Sequence, residues 1–239
     1  MSLGRRRHVY SHGNQLSVDP KTMAAHIALR PIDYSNKGRL LGDYRVAYKT
    51  SMSGAGGSVQ GTVLGIANGF LSFGSARALV QPFYTVLLRV EHTAVVSTAF
   101  TTLTSAFDFS LTVIRQVTSI SASGVQIVPS TKRWTTMPPA SSFVYGQISA
   151  GVSSLGASGT ADARAHGYSV FPTNNTISPP AINGQSLGSM YRLDQSGVQH
   201  PLVLGFLEAA QVNVLTINLS AAGVLQLYTV FEWAEVVVY

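Results

Sequence analysis

The sequence predicts an all-β fold, a single antiparallel β-sandwich of jelly-roll-like type preceded by an extended basic N-terminal arm. Three observations lead there. Apolar and polar residues alternate with period two over Phe107 to Arg115, a pattern no amphipathic helix produces. Short alternating runs recur between clusters of Gly, Pro, Asn and Ser, the spacing of a sandwich or barrel without crossover helices. The chain closes on VLQLYTVFEWAEVVVY (Val224 to Tyr239), β-branched and aromatic to its last residue, as expected of a strand within a sheet.

At 239 residues the chain has length for one large β domain and an extension. Charged residues make up 11% and apolar ones 46%, against roughly 25% charged in ordinary soluble domains. So little charge implies an exterior covered in part by partners. The net charge of +6 is uneven: residues 1 to 49 hold nine Lys or Arg against three Asp, whereas residues 50 to 239 hold seven of each sign. A basic segment on a neutral body reads as a docking arm. Its candidate contacts are Arg5, Arg6, Arg7, Lys21, Arg30, Arg39 and Arg45. Tyr10, Tyr34, Tyr44 and Tyr48 interleave with these cations. That mixture also suits nucleic acid, although three consecutive arginines serve equally against an acidic protein surface.

Along the chain, Asp19 to Arg30 is a weak helical candidate, with Met23 and Ile27 on one face and Pro31 as its stop. Tyr44 to Thr50 reads as a short extended piece. SMSGAGGSVQ (Ser51 to Gln60) reads as a flexible linker of small residues, which puts the arm at residues 1 to 50 and the body at 61 to 239. In the body, Tyr84, Val86, Leu88 and Val90 share one strand face, opposite Thr85, Leu87, Arg89 and Glu91; Phe107, Phe109, Leu111 and Val113 share the next. Val125 to Val128, Phe143 to Ile148 and Tyr168 to Phe171 are further strands. Gln211 to Leu219 and Val224 to Tyr239, joined by Ser220 to Gly223, read as a hairpin.

The sequence contains no cysteine, which excludes disulfides, thiolate nucleophiles and thiolate metal sites. The arginine triplet is followed by no apolar stretch of a secretory signal. The apolar window Leu202 to Leu227 is interrupted by Glu208, Gln211, Asn213, Asn218 and Gln226 and reads as buried sheet, not a membrane helix. No phosphate loop or GxGxxG fingerprint is present. His92, His166 and His200 stand isolated, and His8 with His12 lies beside Gly13 in a segment unsuited to a helical zinc site. Glu232 and Glu235 are the only close acid pair in the body; three apart on a strand, they point to opposite faces and do not converge. No enzyme activity, cofactor or metal is expected. Trp134, beside Lys132 and Arg133, is a loop residue and a candidate interface position, whereas Trp233 reads as core.

From about Phe83 onward the chain resembles a group of small structural proteins of tailed-bacteriophage virions. The resemblance is carried by FDFSLTVIRQVTSISASG (Phe107 to Gly124), KRWTTMPPASSFVYGQIS (Lys132 to Ser149), HPLVL (His200 to Leu204) and the ending FEWAEVVVY. It implies a virion location and a decoration or minor capsid role, or a tail, adaptor or fibre role. It also implies assembly with copies of itself and with other virion proteins. The alternative is a carbohydrate- or receptor-binding module with Trp134, Tyr145, Tyr168 and Tyr191 stacking on sugars; an enzyme acting on cell-wall polymers ranks behind both.

Overall fold

The computed structural model describes residues 8–11, 14–18, 25–26, 40–53, 57–76, 83–98, 107–121, 123–129, 131–132, 139–147, 156–171, 188–193, 202–219 and 223–237. They divide into two units, Met1–Arg39 and Leu40–Tyr239. In the first, β1 (His8–Ser11), β2 (Asn14–Val18) and β3 (Ala25–His26) form a three-stranded antiparallel sheet. Ala25 and His26 fall inside the predicted helix, yet pair with Val18 and Ser17. Two apolar positions on one face give a short helix little to bury, and short helices are marginal without such packing.

The body is built from β4 (Leu40–Ser53), β5 (Gly57–Ala67), β6 (Phe70–Ser72), β7 (Ser75–Ala76), β8 (Phe83–Thr98), β9 (Phe107–Ile120), β10 (Gly124–Gln126), β11 (Thr131–Lys132), β12 (Phe143–Gln147), β13 (Ala157–Ala161), β14 (Gly167–Phe171), β15 (Gly188–Arg192), β16 (Val203–Leu204), β17 (Ala209–Leu219) and β18 (Val224–Val237). One sheet runs β11-β4-β18-β8-β15, with β16 also on β8; the other runs β10-β12-β5-β17-β9-β13, with β14 also on β9. All their pairings are antiparallel. Without the short flanking strands the orders are β4-β18-β8-β15 and β5-β17-β9-β14. Among these eight strands the chain changes sheet at every step except from β9 to β14. This interleaving is the jelly-roll form of the sandwich, as the sequence predicts.

Two placements differ from the sequence reading. The division between units falls at Arg39, because Leu40–Ser53 is a full strand paired along β18 and Gly57–Ala67 begins the next. Of the predicted linker, Ser51–Ser53 belongs to β4, with Met52 fully buried, and Gly57–Gln60 to β5. β17 and β18, expected as a hairpin, pair with different partners in different sheets. A connection that short is equally able to bridge two stacked sheets, which lie ~10 Å apart.

The faces follow from the registers. On β18, Leu225, Leu227, Phe231 and Trp233 point inward against Leu64, Ile66, Phe109, Leu111, Val212 and Leu87. On β9 the predicted inward set Phe109, Leu111 and Val113 is buried as expected. On β8 a register shift opposite Glu232 and Trp233 inverts the parity partway. Val90 and His92 face inward beyond the shift, Leu87 and Thr85 before it, and Tyr84 is exposed. Uniform alternation across Tyr84 to Val90 is therefore corrected: the extra residue of a bulge flips every later side chain.

The second sheet is apolar on its outer face as well. Ala67, Ile114, Val117, Ile120, Phe143, Tyr145 and Ala209 form a separate cluster, closed by Phe70 and Phe73 of the β6–β7 hairpin. Phe73 meets Phe143 edge-on at 5.2 Å. A bulge near Gln116, with φ 52°, brings Val117 to the same side as Ile114. Gly65 lies beneath the Tyr145 ring, and Gly167 lies against the Met190 carbonyl where β14 and β15 close one side; a Cβ at either would collide.

Candidate functional site

Among the described residues of the body surface, one polar cluster is centred on Arg115. It projects from the β9 bulge between the β13–β14 connection, which carries Asp162 and His166, and the turn before β17, which carries Glu208. Its guanidinium donates from Nε to Asp162 Oδ1 at 2.7 Å and from Nη2 to Oδ2 at 3.2 Å. A third bond runs from Nη1 to Glu208 Oε1 at 2.6 Å. The other Glu208 oxygen accepts the Gly205 N–H at 2.7 Å, and His166 Nε2 lies 2.9 Å from Asp162 Oδ2. The Arg115 hydrogen bond, aided by His166, holds the Asp162 carboxyl below its ordinary range. A histidine on a carboxylate is half of a hydrolytic relay. Among the described residues, however, no hydroxyl is bonded to His166, and the carboxylates are committed to the arginine and to backbone. The cluster clamps two connections onto β9.

The second cluster is internal. Glu235, fully buried at the inner end of β18, accepts the Ser141 N–H at 2.8 Å and the Ser142 N–H at 2.7 Å. It also accepts the Trp233 indole N–H at 3.3 Å. These donors replace lost hydration and pin the segment that enters β12. Nearby, the Tyr44 ring lies tilted against Trp233 with centroids 5.7 Å apart; burial first, then the Glu235 and Asp43 charges, push its phenol up. A carboxylate so enclosed has no access to a substrate. At the sandwich end, the buried Asn68 amide donates to the Phe83 and Leu204 carbonyls at 2.7 and 3.1 Å, joining the two sheets.

The third lies on the outer face of the first sheet. Glu232 receives Arg45 at 3.2 Å and Arg89 at 3.7 Å, and Arg89 also pairs with Glu91. Leu88, Arg89, Arg192, Leu193 and Glu232 line an open groove beside them. Lys49 sits over the Tyr228 ring, 5.2 Å from its centroid. Alternating charges of both signs on a sheet suit a mixed-charge protein surface better than one polyanion.

Of the predicted contacts, Arg45 alone has a described side chain; it is exposed and bound to Glu232. Arg5, Arg6, Arg7, Lys21, Arg30 and Arg39 lie outside the described residues, as do Arg133 and Trp134. Lys132 is placed only as a backbone partner of Tyr44 in β11. Trp233 is core, and Glu232 and Glu235 lie on opposite faces, as the strand period requires. Of the four aromatics offered for sugar stacking, Tyr145 and Tyr191 are buried, and Tyr168 is 61% exposed; burial favours both rings because each hydroxyl finds an internal partner, Gln211 and Leu202. Sequence reasoning missed the Arg115 clamp, whose members lie far apart in the chain. Among the described residues no group of three His, Asp or Glu could hold a metal, and no helix is long and apolar enough to cross a membrane.

No protein-family model matches the chain, and no curated protein or solved structure matches it either.

Proposed function

We propose that the protein is a non-enzymatic structural component of a virion, a jelly-roll subunit that assembles with copies of itself. The carrying observation is how its charge is used. In the described body the ionic clusters serve the fold, whereas residues 1 to 39 hold seven basic against two acidic side chains. A nearly neutral sandwich loses little on desolvation when its sides are buried against neighbours. The basic unit then latches onto adjacent subunits or other virion proteins. A decoration or minor capsid role in a tailed phage is the specific form the sequence resemblance favours, with a tail or adaptor role next to it.

Sedimentation of the full chain and of a variant lacking residues 1 to 39 tests this. The full chain is expected to form a discrete oligomer that the truncation weakens at unchanged circular dichroism. Full-chain monomers at tens of micromolar, at low and physiological salt, would count against it. Jelly rolls also serve as lectins, and exposed Tyr168 keeps a receptor-binding reading in view. Glycan binding that survives the truncation and is lost in Tyr168→Ala would favour that reading.

A further inference from the structure

The second sheet ends in a strand with one side open. β13 closes the path β10-β12-β5-β17-β9-β13, and among the described residues it pairs with β9 alone. The neighbouring stretch of edge is shut, since β14 meets β15 where Gly167 lies against the Met190 carbonyl. Ser158, Gly159, Thr160 and Ala161 are all exposed. Sheet edges are ordinarily guarded by Lys, Pro or an inward-pointing charge; Ala157–Ala161 reads ASGTA and has none of these. The register shift at this pairing comes from the other strand. Gln116, Val117 and Thr118 of β9 lie opposite Gly159 alone, so β13 itself carries no insertion.

The hydrogen bonds to β9 show which backbone groups of β13 face outward. Gly156 accepts the Ser121 N–H at 3.0 Å, and Asp162 donates to the Val113 carbonyl at 2.9 Å. Alternation between these two turns Ser158 and Thr160 toward β9, and Ala157, Gly159 and Ala161 away from it. Gln211 Oε1 accepts the Ala157 N–H at 3.1 Å. The Ala157 carbonyl and both backbone groups of Gly159 and Ala161 are left for a new strand. The segment is also a near-palindrome about Gly159. An antiparallel copy centred there sets Gly159 against Gly159, Ala157 against Ala161 and Ser158 against Thr160, so the outward groups meet in hydrogen-bonding register. No opposed side chain is larger than threonine, and hydroxyl faces hydroxyl, a favourable cross-strand pair. Asp162 falls opposite Gly156 and not opposite another acid.

We propose that β13 is a self-recognition edge that joins two copies of this chain across a two-fold axis at Gly159, extending the second sheet of one jelly roll into the next. This rests on the assembly reading above. A strand of 5 residues buries well under the roughly 800 Å² per partner of a stable interface, so the edge acts beside the other contacts of an assembly and sets their register.

Disulfide trapping tests it, in a chain that has no cysteine of its own. Ser158→Cys and Thr160→Cys are made separately in the full chain, at exposed positions, and Gly159 is left unchanged because a Cβ there meets the Arg115 carbonyl. At the two-fold edge, position 158 of one copy faces position 160 of the other at about 4.5 Å between Cα atoms, within disulfide reach. Two copies of the same variant hold their altered positions about 8 Å apart, outside it. Under mild oxidation at tens of micromolar, the mixture of the two variants is expected to give about tenfold more linked dimer than either variant alone. Equal linking in the mixture and in the single variants is random encounter and overturns the proposal. A mixture that stays unlinked also overturns it, and sedimentation then separates two cases: oligomers mean that the edge fails while the assembly reading stands, and monomers mean that both fail.

Discussion

Removing a carboxylate from water costs several kcal/mol unless donors replace its hydration. Glu235 has three, two from the Ser141 and Ser142 backbone and one from the Trp233 indole. Glu235→Ala strands those donors and is expected to cost about 3 kcal/mol. Glu235→Gln keeps one acceptor and should cost less; urea unfolding followed by tryptophan fluorescence checks both. Gly65→Ala is expected to lose 1–3 kcal/mol, roughly the cost of overpacking, because its Cβ meets the Tyr145 ring. Combining it with Tyr145→Leu should recover part of that loss in a double-mutant cycle. At this scale the sequence was partly legible. Period two alone separates Glu232 from Glu235, but the burial of Glu235 depends on Ser141 and Ser142, over ninety positions away.

Whole strands were easier to read than their pairing. Phe109, Leu111 and Val113 alternate without interruption and lie inward as their pattern predicts. In β8 the bulge opposite Glu232 and Trp233 moves the parity by one, and nothing local to Tyr84–Glu91 announces it. The β17–β18 connection misled for a related reason: turn chemistry shows where a chain reverses and leaves open whether it reverses within a sheet or between sheets. The β6–β7 hairpin was invisible because it covers a sheet face that alternation would assign to solvent. Phe73 closes that face over Phe143. Phe73→Ala is therefore expected to cost 2–4 kcal/mol, with binding of a hydrophobic dye to the uncovered cluster as its second sign. The Arg115 clamp is partly exposed and screened. Asp162→Asn should cost about 1 kcal/mol or less, falling further in 1 M salt. Because its carboxyl is held low, its contribution is present above the ordinary aspartate range and fades only as pH drops below it.

On the scale of the whole molecule, composition carried most of the fold and the charge distribution carried the functional proposal. Sparse charge, frequent turn residues and a β-branched end pointed to a sandwich, and the strand orders make it a jelly roll. The boundary between units moved to Arg39 because glycine and serine that were read as a linker belong to strands β4 and β5. The account's central claim is that this body exists to be repeated, and electron microscopy of the purified full-length chain tests it most directly. The account predicts rings or closed shells in which the sandwich recurs by symmetry; a field of single 25.4 kDa bodies at every concentration and ionic strength, alone and with virion partners, would contradict it.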